Sequence, residues 1–438
     1  MLVKFSVGNY LSFKNIAIFD MSAEALKEKK GFTHIPFLHN PKISLLKSAA
    51  IYGHNSFGKS NLLKAYVSFQ QTILNSFTIG NIAYETSIEP FRLNTTTLNK
   101  PSFFEAIFII KQTKYRYGFE IYEKKVVSEW LYYTDGVSRE HTLYIRVGQD
   151  YGEISKLWLK NTGNKVHEAK VFTKSNNLFL STLLSQEGIL RIDDIAGWFK
   201  GNLILNGNYG LTPNNSAVQI YSNEEYRNII LKFLDNADLG FKSVFEKVSR
   251  YINEKGYHTD LINTVFDTKQ ANFDLYTQHK IYDDNYKIQR TIEFDLIKNE
   301  SSGSIKYFIL ACYLAYALKR GQLIWIDEID ASLSTQLLTF LLEIFNDDKN
   351  NVCGGQLIFI AHNTALLDNK LRRDQIWLVD KNEFGESTLH KGHTPETPIR
   401  INKSIEQDYR EGKLARGVSK KVSKDNLPSL FDNLPPTE

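Results

Sequence analysis

Cysteine is nearly absent from this chain: its 438 residues include only Cys312 and Cys353. Two cysteines without the spacing of metal ligands exclude a disulfide framework and a zinc site, and they are typical of a protein from a reducing compartment. The sequence also lacks an apolar run of the roughly 18 residues that a bilayer span requires. Its first residues alternate apolar and polar side chains, as a strand does and a secretory signal does not. We therefore expect a soluble, cytoplasmic protein with no membrane partner.

A strong excess of charge of either sign is missing as well. The formal net charge is +4 and the isoelectric point is about 8.6, so the chain is only mildly basic. This charge permits contact with nucleic acid but does not argue for it. No sustained heptad repeat is present, which excludes long coiled-coil arms. Hydrophobic residues make up 42% of the chain, enough for a large core, and the length predicts two or three domains.

Apolar patterning divides the chain into four segments. Residues 1–164 combine an N-terminal strand, a strand–turn–helix unit and a series of antiparallel strands, the last two of them between residues 144 and 159. In residues 290–400, fully apolar strands alternate with helices, which is typical of a sheet buried on both faces. The tail, 401–438, is basic, poor in apolar residues and expected to be flexible. The sequence thus predicts an α/β fold in which mixed sheets are flanked by helices.

The remaining segment, residues 165–289, is predicted to be a mainly helical insertion. Apolar residues recur at helical spacing in residues 177–185 and 223–234. The same spacing predicts another helix over residues 241–251. Its apolar face would consist of Val244, Phe245, Val248 and Tyr251.

A glycine-rich phosphate-binding motif follows an apolar strand near residue 50. It matches the pattern G-x-x-x-x-G-K-[ST] at every fixed position, and a helix follows it. Glycines allow backbone N–H groups to turn towards phosphates, and the helix adds its positive N-terminus. Lys59 is expected to reach the β- and γ-phosphates of ATP, and Ser60 to hold Mg²⁺. The predicted nucleotide-binding residues are Gly53, His54, Asn55, Ser56, Phe57, Gly58, Lys59, Ser60 and Asn61.

Two carboxylates end the apolar strand of residues 323–326. Such a strand delivers Asp327 and Glu328 to the carboxyl edge of a sheet, where ligands of open α/β folds bind. Asp327 is expected to hold Mg²⁺ through its water shell, and Glu328 to accept a proton from the attacking water. A solvated acidic turn has the same pattern, so the assignment depends on the phosphate motif upstream.

Two further elements complete the predicted site. Ser301, Ser302 and Gly303 begin a helix, whose free N–H groups form an anion site. Because the phosphate loop already covers one side of the γ-phosphate, we expect this helix tip to act on a nucleotide held by another copy of the chain. His362 follows an apolar strand and is placed to bond the γ-phosphate or orient the water. An ordinary serine cap and a loop histidine are the alternative interpretations.

The order of these elements resembles that of ABC-type ATPase heads, a group that includes the SMC, Rad and RecF proteins. The closer resemblance is to ATPases of the OLD and abortive-infection class, of the RloA or AbiL type, and it spans about residues 1–380. Ser302 departs from the pattern, because ABC heads usually have glycine there. The resemblance is carried by residues 5–14, 50–60, 115–120, 300–304, 326–333 and 371–377.

The resemblance implies an ATPase that works as a head-to-tail dimer, or a higher homo-oligomer, with ATP between two copies. It also implies a bacterial anti-phage role in which the ATPase acts with a separate effector nuclease. A DNA-repair ATPase of the RecF kind, which binds nucleic acid directly, is the alternative, and a transporter subunit is a third. The basic stretch from Arg410 to Lys424 and the sequence LPSLFDNLPP after it are either docking elements or disordered.

Overall fold

The protein is described from a computed structural model, which covers residues 1–34, 43–77, 88–136, 138–162, 164–205, 215–237, 239–241, 243–248, 273–368, 370–394 and 404–414. The strands are β1 (Leu2–Gly8), β2 (Ala17–Asp20), β3 (Thr33–His34), β4 (Leu45–Leu46), β5 (Ser48–Tyr52), β6 (Ser102–Ile110), β7 (Thr113–Tyr122), β8 (Lys125–Asp135), β9 (His141–Val147), β10 (Asp150–Ile154), β11 (Leu203–Leu205), β12 (Val244–Val248), β13 (Phe273–Tyr282), β14 (Ile288–Asp295), β15 (Leu323–Ile326), β16 (Gln356–Ile360), β17 (Ile376–Lys381) and β18 (Ser387–Lys391). The helices are α1 (Lys59–Asn75), α2 (Lys156–Thr162), α3 (Lys165–Phe172), α4 (Phe179–Leu184), α5 (Ile192–Gly201), α6 (Asn215–Ser222), α7 (Glu224–Asp235), α8 (Leu296–Asn299), α9 (Ser302–Arg320), α10 (Thr335–Asn346) and α11 (Ile405–Arg410). Within this described part, none of the helices has the length and apolar content needed to traverse a bilayer.

A six-stranded sheet in the order β11-β15-β16-β5-β17-β18 lies between two apolar cores. Its first five strands run parallel, and β18 pairs with β17 in the antiparallel direction. Side chains of β15 and β16 alternate between the cores, since Ile324 and Phe359 face one of them and Trp325 and Ile358 face the other. Burial of both faces explains why these strands are apolar at every position except Gln356, the first residue of β16.

One face of this sheet is covered by α1 and by a seven-stranded antiparallel sheet in the order β10-β9-β8-β7-β6-β1-β2. Phe69 of α1 is fully buried there, and its ring packs against those of Phe5, Phe104, Phe119 and Phe199. Three of these rings come from the seven-stranded sheet and the fourth from α5, so aromatic contacts hold α1 on more than one side. The helix that follows the phosphate motif is therefore rigidly placed.

The opposite face is covered by α6, α7, α9 and α10. Helix α9 is apolar on nearly all sides and is buried from Ser304 to Leu318, as expected of a helix surrounded by protein. A three-stranded sheet, β12-β13-β14, adjoins this layer. The predicted α/β fold class, with mixed sheets flanked by helices, is confirmed.

The helix predicted over residues 241–251 is wrong. Residues Val244–Val248 form β12, which pairs antiparallel with β13, and Tyr251 lies outside the described residues. Five residues rich in valine satisfy the spacing of a helix and of a strand alike, and pairing with β13 decides between them. The strand pair expected between residues 144 and 159 ends at Ile154, because α2 begins two residues later.

The middle segment contributes to the central sheet as well as to the helical layers. Strand β11 is the outermost parallel strand and pairs with β15, while α4 and α5 contact α1. The division of the chain at residues 165 and 290 stays a prediction. Of the basic tail, residues 404–414 are described, and the rest, with LPSLFDNLPP, lies outside the described residues.

Candidate functional site

The carboxyl ends of β5, β15 and β16 meet at one edge of the six-stranded sheet. Ile326 is in register with Phe359, and Ile360 with Ile51. Because adjacent parallel strands end side by side, the loops that follow them are brought together. These loops carry the phosphate motif, the acidic pair and His362, which are the elements that the sequence predicts to form one site.

Two glycines of the phosphate loop are required by the space around them. Gly58 has φ +110°, and a side chain there would lie 2.6 Å from the Ser12 hydroxyl and 2.5 Å from that of Ser387. A side chain at Gly53 would lie 2.6 Å from the carbonyl oxygen of Val379. A side chain at Gly53 or Gly58 would collide with these neighbours, so glycine allows the loop to pack closely against them.

Lys59 is folded over the loop. Its Nζ donates hydrogen bonds to the carbonyl oxygens of Gly53 at 2.7 Å and His54 at 3.2 Å, and the residue is buried. Burial lowers the pKa of Lys59, while the charges of Asp327 and other nearby carboxylates raise it. A desolvated ammonium beside loop carbonyls is placed to bind a phosphate oxygen.

Asp327 is the strongest candidate for a metal ligand. Its Oδ1 is buried and has no hydrogen-bond partner within the described part of the chain. Burial raises the pKa of this carboxyl, and the Glu328 charge adds to the increase, whereas the Ser60 hydroxyl and Lys59 oppose it. A carboxyl that is close to the Ser60 hydroxyl and has one oxygen without a partner among the described residues offers the oxygen ligands that Mg²⁺ prefers, so these residues fit a Mg·ATP complex.

Glu328 adopts a left-handed backbone conformation with φ +50°, which is uncommon for a residue with a side chain. Its carbonyl oxygen accepts a hydrogen bond from Nζ of Lys306 at 2.8 Å, and its side chain is exposed. Lys306 therefore helps to hold the turn that presents Glu328. Sequence reasoning missed Lys306, although a lysine within the apolar run of α9 was a usable signal.

Asp330 connects the acidic turn to the loop after β16. Its Oδ2 accepts hydrogen bonds from the backbone N–H groups of His362, at 2.7 Å, and Asn363. The His362 side chain is exposed at the same edge of the sheet. The structure thus places His362 beside the acidic turn, and its role at the γ-phosphate stays a prediction.

Ser301 caps α9 by accepting a hydrogen bond from the backbone N–H of Ser304 at 3.1 Å. Ser301 and Ser302 are exposed. A side chain at Gly303 would approach the carbonyl oxygen of Ser332 to 2.8 Å, so the helix tip packs against the turn that follows Asp330. Within the described part, no hydrogen bond or ion pair joins this tip to the phosphate loop of the same chain.

The last predicted binding residue, Asn61, has a supporting contact. Its side-chain amide donates to Ser12 Oγ at 2.7 Å, and Ser387 Oγ donates to the carbonyl oxygen of Phe57 at 2.6 Å. Ser12 and Ser387 lie outside the motif, stabilise the loop through these hydrogen bonds and were not predicted. Of the predicted residues, Asn55 and Ser56 are the most exposed part of the loop.

A comparison with family models finds a match to the family described as "AAA domain, putative AbiEii toxin, Type IV TA system" over residues 48–368. Among solved structures, the SMC head domain from Thermotoga maritima is similar, with a TM-score of 0.41 and 12% identity over 90% of this chain and 99% of that chain. The recombination mediator protein RecF-ATP of the RecFOR pathway is similar with a TM-score of 0.36 and 14% identity, over 89% and 97% of the two chains. The curated proteins contain no match.

The burial of Asp327 leads to a prediction for Asp327→Asn. Because the pKa of this carboxyl is higher in the folded protein than in the unfolded chain, the folded state holds the proton more tightly. The free energy of unfolding of the free protein therefore falls as the pH rises above the pKa of the unfolded chain. At neutral pH we expect the nucleotide-free variant to melt at the parental temperature or above it. In the parent, Mg²⁺ should raise the melting temperature above the value measured with ATP alone. The variant should lose this additional increase.

Thermal melts with ATP, with and without Mg²⁺, measure both effects. The matched control is Asp150→Asn, an exposed residue on β10, which should behave as the parent does. An Asp327→Asn protein that keeps the full Mg²⁺ response would contradict the assignment of Asp327.

Proposed function

The chain belongs to this AAA-domain family, and from that membership and the geometry of the sheet edge we propose that it binds Mg·ATP and hydrolyses it in a site shared by two copies. The observation that carries the proposal is the meeting of Lys59 and Asp327 at one edge. Both are shielded from solvent, and Asp327 Oδ1 lacks a partner among the described residues. Buried charges of this kind are stabilised by a ligand of opposite charge.

Each residue has a separate role in the proposed site. The loop N–H groups and Lys59 hold the phosphates, and Ser60 and Asp327 hold Mg²⁺, which supplies charge neutralisation at the phosphates. Glu328 accepts a proton from the attacking water, since its exposed carboxylate projects from the turn that Lys306 holds. His362 contacts the γ-phosphate or orients that water.

A second copy is needed because the helix tip at Ser301, Ser302 and Gly303 is exposed and has no polar bond to its own phosphate loop within the described residues. A helix N-terminus is an anion site. In a head-to-tail pair, related by a two-fold axis, each tip would meet the γ-phosphate held by the other copy. We propose this dimer, or a higher homo-oligomer built from it, as the active form.

Mixing two inactive variants tests the shared site. Lys59→Ala removes the phosphate ligand, and Ser302→Glu places a negative charge at the helix tip, where it favours the helix but repels phosphate. Each variant alone should lack ATPase activity. An equal mixture should recover up to about one quarter of the parental rate, because half of the dimers are mixed and each of these contains one intact site.

The control is each variant alone at the total protein concentration of the mixture, assayed for phosphate release. If the mixture stays inactive while the two proteins exchange subunits, the phosphate loop and the helix tip do not act across a dimer.

Glu328→Gln tests the proposed base. The amide cannot accept the proton, so we expect the ATPase rate to fall about 100-fold or more while ATP binding is kept. A closed, ATP-bound dimer should then accumulate and be detected by light scattering during gel filtration. Glu343→Gln, an exposed glutamate on α10, is the control; parental hydrolysis by Glu328→Gln would refute the assignment.

We propose further that the protein is an anti-phage defence ATPase of the OLD and abortive-infection class, acting in the cytoplasm with a separate effector nuclease. The family description, which names a putative AbiEii toxin of a Type IV TA system, supports a defence role. Affinity purification from the native host with and without ATP should recover a nuclease. Steeply salt-dependent binding of duplex DNA by the purified chain alone would instead favour a RecF-like repair ATPase.

A further inference from the structure

The segment Ser404–Leu414 packs against the candidate nucleotide site, although it lies well beyond the residues matched by the family model. The ring of Tyr409 stacks on that of His54, with ring centroids 6.1 Å apart and an interplanar angle of 16°. It also meets the ring of Tyr52 edge-on at 6.0 Å. Tyr52 ends β5 and His54 is the second residue of the phosphate loop, so one side chain from the far end of the chain contacts both sides of Gly53.

The same segment is anchored to the loop that follows His362. The Asp368 carboxylate accepts hydrogen bonds from the backbone N–H groups of Ile405, at 2.7 Å, and Glu406, at 3.0 Å, and from the hydroxyl of Ser404. Thr364 Oγ1 donates to Glu406 at 2.8 Å. These bonds fix the start of α11 and thereby fix the position from which its side chains reach the phosphate loop.

Contacts continue from Tyr409 to the groups that hold phosphate. The carbonyl oxygen of His54 accepts a hydrogen bond from Lys59 Nζ at 3.2 Å, and the Tyr52 hydroxyl donates to the carbonyl oxygen of Asn363 at 3.0 Å. His54 thus connects Tyr409 to Lys59, and Tyr52 connects it to the loop that carries His362. The Tyr409 ring therefore packs on the residue whose carbonyl oxygen accepts a hydrogen bond from Lys59.

We propose that Tyr409 is a positioning residue of the nucleotide site, which acts through His54 to hold the phosphate loop in the form that binds ATP. This inference rests on the proposed function. Burial raises the pKa of the Tyr409 hydroxyl, an effect that the backbone N–H of Gly53 opposes. Because binding linkage is reciprocal, ATP should in turn strengthen the attachment of the segment.

Tyr409→Ala in the full chain tests the proposal. Loss of the stacked ring should raise the dissociation constant for Mg·ATP about tenfold, as measured by calorimetry. Tyr409→Phe keeps the ring and should stay within about threefold of the parent. Gln407→Ala, an exposed position on the same helix, is the matched control and should bind as the parent does.

Asp368→Ala tests the anchor independently, because it frees the start of α11 without touching the phosphate loop. It should weaken ATP binding in the same way as Tyr409→Ala, and the double variant should be no weaker than the stronger single effect, since both act through one contact. Amide hydrogen exchange in residues 404–414 should slow on addition of Mg·ATP in the parent but not in Tyr409→Ala.

The outcomes distinguish the role of Tyr409 from the proposed function. Parental ATP affinity in Tyr409→Ala overturns the role of Tyr409 and leaves the proposed function intact. An equal loss of affinity in Gln407→Ala also overturns it, because the effect would then come from a general loosening of the helix. Failure of the parental chain to bind Mg·ATP overturns the proposed function and this inference with it.

Discussion

The parallel pairing of β5, β15 and β16 is the constraint on which the candidate site depends. Each strand contributes one loop, and none of these loops holds a complete site. Their register places the phosphate loop, Asp327 and His362 at the same edge. Two apolar cores hold this register, because sliding a strand by one residue would turn Trp325 or Ile358 into the opposite core. The packing of apolar side chains in the two cores therefore positions the polar residues at this edge.

The free protein maintains two desolvated charges at this edge. Burial disfavours the ammonium of Lys59 and the carboxylate of Asp327 alike, and each partly offsets the effect on the other. Such a pair costs stability unless further partners are supplied. A ligand that combines phosphate with a divalent cation satisfies both groups at once. The site is thus organised before binding, at the expense of the stability of the free fold.

The sequence predicted the parts of the site that are encoded locally. The phosphate loop, the acidic pair and the Ser301 cap each occupy a few consecutive residues next to an apolar run, so local patterns and their order along the chain were enough to propose them. Tyr409 was missed because its role arises from contacts between distant segments, which no local pattern encodes. Lys306 was missed although its position within the apolar run of α9 was a local signal. Strand β12 was mistaken for a helix because five residues do not separate the two periods, and only pairing with β13 does so.

The order of strands in the central sheet also bears on how the protein is made. Strand β5 is translated early, yet both of its neighbours come from near the other end of the chain, and Gln375 reaches Ser48 across 327 positions of sequence. At roughly 5–20 residues per second, the ribosome needs tens of seconds to supply them. During that interval β5, whose residues after Ser48 are apolar or aromatic, has neither of its neighbouring strands to pair with. A chain truncated before β16 lacks both neighbours of β5, and we expect it to be aggregation-prone.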